Sequence, residues 1–63
     1  MERYRITKTE QAAPEQTWVL LPDRASAFMQ AEELANRAKT VRIRVYHEAP
    51  GAPQTLVLDL NAA

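Results

Sequence analysis

Hydrophobic and polar residues alternate with a period of two in three stretches of the chain and follow a helical period in one. In residues 2–9, Tyr4 and Ile6 alternate with Arg3, Arg5 and Thr7, the pattern of a half-buried strand that aromatic and β-branched residues favour. Residues 10–15 have no period, contain Pro14 and read as a loop. Residues 17–21 form a short apolar run; Trp18 and the pair Val19 and Leu20 favour a second strand, which Pro22 ends. Either Trp18 and Leu20 or Val19 and Leu21 face the core. The first pair is preferred, because the core otherwise holds few large side chains.

Over residues 23–39 the period changes. With residues placed about 100° apart, Ala27, Phe28, Ala31, Leu34, Ala35 and Ala38 fall within an arc of roughly 120°, so an amphipathic helix with a small-residue stripe is predicted. Asp23 and Ser26 both carry an oxygen able to cap its first turn. In residues 40–48, Val41, Ile43, Val45 and His47 point one way and Arg42, Arg44, Tyr46 and Glu48 the other. Pro50 and Gly51 mark a turn, glycine being free to take positive φ. In residues 54–60, Leu56, Leu58 and Leu60 alternate with Thr55, Val57 and Asp59. The order is ββαββ: an α+β fold, a four-stranded antiparallel sheet with one helix packed on one face. Residues 1–63 make a single small domain.

One helix covers one face of the sheet and leaves the other bare. The covered face should hold Tyr4, Ile6, Val41, Ile43, Val45, Leu56, Leu58 and Leu60 beneath Phe28, Leu34 and the helix alanines. The bare face should show Arg3, Arg5, Thr7, Arg42, Arg44, Tyr46, Thr55, Val57 and Asp59, with Val19 and Leu21. Four of the six arginines of the chain fall there, a local concentration of positive charge. Guanidinium groups suit carboxylate, phosphate and aromatic partners. Long charged side chains also serve simply to keep a sheet face wet, and Glu2, Glu48 and Asp59 are placed to pair with some of them.

Composition narrows the function. Hydrophobic residues make up 46% and charged residues 25%, and eight basic residues balance eight acidic ones. A zero formal charge argues against a strongly basic nucleic-acid module and an acidic DNA mimic. The absence of cysteine excludes disulfides and thiolate metal sites. The longest large-apolar run, residues 18–21, is far short of a membrane span, and the first residues lack the apolar region of a signal peptide. The single serine, Ser26, sits where a cap is wanted. His47 has no neighbouring second ligand, since Glu48 projects oppositely. No catalytic residue, cofactor site or metal site is therefore expected. Met29 falls on the polar side of the helix as an adaptable contact residue. The expected contact set is Arg3, Arg5, Arg42, Arg44, Tyr46 and Met29. It fits a protein or ribonucleoprotein partner in the cytoplasm, with nucleic-acid binding and homodimerisation as alternative uses of the same face.

The layout resembles a group of very small phage-encoded ββαββ proteins that includes anti-CRISPR inhibitors. The resemblance lies in the opening strand Tyr4-Arg5-Ile6-Thr7-Lys8, an alanine-rich helix with Glu and Lys over 26–39, and a closing hairpin of residues 40–46 with Leu56-Val57-Leu58-Asp59-Leu60. It is a likeness of elements that covers most of the chain. It implies a non-catalytic inhibitor that docks on a nucleoprotein complex with exposed arginines among its contacts.

Overall fold

The computed structural model describes residues 2–61. Strands β1 (Arg3–Thr9) and β2 (Gln16–Leu21) are followed by helix α1 (Arg24–Arg37) and strands β3 (Arg42–Glu48) and β4 (Thr55–Leu60). All neighbouring strands are antiparallel in one sheet of order β2-β1-β3-β4. Two hairpins thus meet along β1 and β3, which become the central strands. The ββαββ α+β fold is the one the alternation predicts.

The helix lies low on the sheet. Ala27, Ala31 and Ala35 repeat every fourth residue and are buried in one cluster with Tyr4, Ile6, Ile43 and Val45. Residues four apart share a helix face, and an alanine stripe keeps the separation from the sheet short. Phe28 and Leu34 flank the stripe. Asp23 is the N-cap: its carboxylate accepts from the Ser26 N–H at 2.9 Å, so Ser26 donates and does not cap. The Arg24 guanidinium lies 5.7 Å from the centre of the Tyr4 ring and 5.9 Å from that of Phe28, which ties the first turn to β1. At the other end the Asn61 side-chain amide donates to the carbonyl oxygens of Ala35, Ala38 and Val41, each at 3.1 Å. In the β3–β4 connection Gly51 takes φ 74°, and the Ala52 N–H donates to the Ala49 carbonyl at 3.2 Å, the turn that Pro50 and Gly51 predict.

Two irregularities redirect side chains. Ile6 faces Val19 but Thr7 faces Thr17, so Trp18 is an extra residue in β2. The preferred inward pair is therefore wrong. Trp18 and Leu20 are 41% and 43% exposed, and Val19 and Leu21, expected outside, pack against the core. A helix set down on alanines leaves no room for an indole beneath it, whereas Val19 and Leu21 fit at its margin. The same happens in β4: Val45 faces Leu58 but Tyr46 faces Leu56. Val57, expected on the bare face, packs against the core, and Leu56, expected inside, is 47% exposed. A bulge adds one residue and so breaks strict alternation from that point on.

Candidate interaction face

The face without the helix is built from cross-strand rows. Leu20, Arg5, Tyr46 and Leu56 are paired across all four strands in that order. The adjoining row runs Thr17, Thr7, Arg44, Asp59. Arg3 faces Glu48 at one end and Thr9 faces Arg42 at the other. Residues directly opposite in antiparallel strands have side chains close enough to interact, so each row is a set of contacts.

All four predicted arginines of the sheet, Arg3, Arg5, Arg42 and Arg44, are on this face together with Tyr46. They are not a bare positive patch. The Glu48 carboxylate accepts from Arg3 Nε at 2.7 Å and from Arg5 Nε at 2.9 Å. Asp59 takes Arg42 in a two-pronged pair at 3.0 and 2.6 Å. Arg44 Nε stands 3.7 Å from Glu15. Four guanidinium groups thus meet three carboxylates, and the expected concentration of positive charge is reduced to an excess of one. The physical reason is the register: β-pairing sets Glu48 and Asp59 beside the arginines. The Arg5 and Arg3 hydrogen bonds hold the Glu48 carboxyl below its ordinary pKa, and the Arg42 hydrogen bonds do the same for Asp59. Asp59 in turn raises the Arg42 guanidinium.

At the centre, Glu15 reaches in from the β1–β2 connection. Its Oε2 accepts from the Thr7 hydroxyl at 2.6 Å and from the Tyr46 hydroxyl at 2.9 Å. The Thr7 bond, then the Tyr46 bond and the nearby Arg44, lower the Glu15 pKa against the cost of its partial burial. Burial first, and then the bond to Glu15, raises that of Tyr46. Thr7 is itself buried, although it is polar and on the helix-free face, because this network covers it.

Met29, the remaining predicted contact, is 68% exposed on the helix and is not part of these rows. His47 lies on the helix side opposite Tyr4, with ring centres 5.0 Å apart, and its Nε2 meets the Glu2 carboxylate at 2.5 Å. No group of three metal-ligating side chains occurs among the described residues, and no helix among them is long and apolar enough to cross a membrane. Glu15 was not foreseen. It stands in a segment without a period, so nothing in the pattern assigns it to a face. Glu48 and Asp59 were readable as partners from alternation alone.

Comparison with protein-family models, curated proteins and solved structures finds no match to this chain.

Proposed function

We propose that the protein is a non-enzymatic interaction domain of inhibitor or adaptor type, which docks on a protein surface, free or within a nucleoprotein complex, through the helix-free face of its sheet. The observation that carries this reading is the row Leu20–Arg5–Tyr46–Leu56. It crosses the sheet with an arginine and a tyrosine in the middle and a half-exposed leucine at each end. Tyr and Arg are among the residues enriched at protein contacts, and leucines at the margins add apolar area to be covered. Trp18 extends the apolar margin on the β2 side. The internal ion pairs favour covering the face: a guanidinium already matched by a carboxylate is not left as an uncompensated charge when water is removed. The likeness in layout to small phage-encoded inhibitors supports the inhibitor class.

The test is binding of a purified partner, identified by crosslinking from the face, to three proteins: wild type, Leu20→Lys/Leu56→Lys, and Met29→Lys. Circular dichroism and thermal melting verify that each is folded. The double variant should weaken binding about 100-fold, equivalent to about 3 kcal/mol, and Met29→Lys should leave it unchanged. Undiminished binding by the folded double variant would overturn the docking face. A steep loss of affinity with salt would instead identify a phosphate-driven, nucleic-acid contact.

A further inference from the structure

We infer that the hollow lined by Thr7 and Tyr46, with Arg44 beside the carboxylate it holds, is a carboxylate-binding subsite, occupied in the free protein by the chain's own Glu15 and offered on docking to an aspartate or glutamate side chain of the partner. This rests on the docking face proposed above and names the chemistry at its centre.

Three observations converge on it. Arg3, Arg5 and Arg42 each donate directly to a carboxylate. Arg44 does not. Its terminal nitrogens donate to the Tyr46 hydroxyl at 3.4 Å and the Thr9 hydroxyl at 3.0 Å, and its buried Nε has no hydrogen-bond partner. The excess charge lies where Arg3 and Arg5 share Glu48, whereas Arg44 is the one guanidinium of the face that stands beside its carboxylate, Glu15 at 3.7 Å, without a hydrogen bond to it. Secondly, the Thr7 and Tyr46 hydroxyls both donate to one oxygen of Glu15, so the donors define a position for one carboxylate oxygen beside that cation. Thirdly, the donors stand on the two central strands, whereas Glu15 lies outside any strand, just before β2. The donor set is fixed by the sheet and the acceptor is tethered to it by a connection.

The hollow of about 200 Å³ opens to solvent beside Arg5, Thr17 and Gln54, which gives an incoming side chain a route. Replacing one carboxylate by another conserves the hydrogen bonds, and the rehydration of the released Glu15 offsets part of the cost of desolvating and immobilising the incoming group. The surroundings select a single anion. The two hydroxyl donors converge on one oxygen position, which suits an isolated acidic side chain better than a row of phosphates. A tethered competitor acts at an effective concentration in the millimolar range or above, so removing it should raise affinity for a free carboxylate.

The experiment titrates acetate, and separately inorganic phosphate at matched ionic strength, into wild type, Glu15→Ala and Glu15→Ala/Arg44→Gln, followed by amide NMR. Glu15→Ala should show saturable shifts centred on Thr7, Arg44 and Tyr46, with affinity for acetate at least tenfold above wild type. The double variant should lose them, and phosphate should bind no better than acetate. Glu15→Ser, whose short side chain also vacates the hollow, provides the same readout should the alanine variant unfold. Absence of saturable shifts in the folded Glu15 variant, equal response in wild type, or preference for phosphate would each overturn the subsite. Acetate binding needs no partner, so its failure leaves the docking face standing. Loss of the docking face through Leu20 and Leu56 likewise leaves the subsite to be judged on acetate alone.

Discussion

Replacing Asn61 by alanine should lower the stability of the fold by about 2–3 kcal/mol. The Asn61 amide donates to the carbonyls of Ala35 and Ala38 at the helix end and to that of Val41 before β3. An amide has two hydrogens, so the three contacts amount to about two hydrogen bonds, each worth roughly 1 kcal/mol net where water still has access. Asn61 also holds φ 59°, a left-handed conformation in which asparagine is tolerated and alanine costs about 1 kcal/mol more. A domain of this size has of the order of 3–9 kcal/mol in total, so the loss is a large fraction of it. It corresponds to a fall in melting temperature of about 10–20 °C. Urea and thermal denaturation followed by circular dichroism measure it. Asn61→Gly separates the two contributions: it removes the amide but accepts the backbone angle, and should cost only about 1–2 kcal/mol. An alanine variant within about 0.5 kcal/mol of wild type, a change of the size usual for neutral surface substitutions, would refute the role of the latch. A glycine variant less stable than alanine would refute the backbone part.

The two candidate caps are separable by mutation: Asp23→Ala should cost about 1 kcal/mol, whereas Ser26→Ala, which keeps the donating N–H, should be nearly neutral; urea midpoints decide it. Ala12 holds φ 61° in the turn closed by the Ala13 N–H and the Glu10 carbonyl, so Ala12→Gly should stabilise by about 0.5–1 kcal/mol, and a fall in melting temperature would contradict the strain. Stability should fall in acid, because Glu15, Glu48 and Asp59 have folded pKa values below their unfolded ones. The unfolded chain then binds more protons. The contribution is full above the ordinary carboxylate pKa of about 4 and is lost as pH drops through the lower folded values. A urea midpoint unchanged between pH 7 and pH 3 would contradict this.

Much of the fold is legible along the chain because its cause is local. The alternation of Val41, Ile43 and Val45 against Arg42, Arg44 and Tyr46 assigns β3 to two faces without knowledge of its neighbours. The stripe Ala27, Ala31, Ala35 orients α1 for the same reason, and Pro50 with Gly51 marks the last turn. Those patterns also place Arg3, Arg5, Arg42, Arg44 and Tyr46 on one side, which is the frame of the candidate site. They further offer Glu48 and Asp59 as counter-charges.

Pairing between strands decided the rest. Trp18 and Val57 are extra residues of bulges, and a bulge exists only relative to the partner strand, so the faces of Leu20, Leu21 and Leu56 could not follow from alternation within β2 and β4. Glu15 and Asn61 lie outside every periodic segment. Each acquires its role from groups distant in sequence: Glu15 from hydroxyls on two central strands, Asn61 from the carbonyls of the helix end. Local periodicity therefore determined which residues share a surface, and the tertiary structure decided that the arginines there are mostly neutralised, Arg3 and Arg5 sharing Glu48 and Arg44 standing beside Glu15.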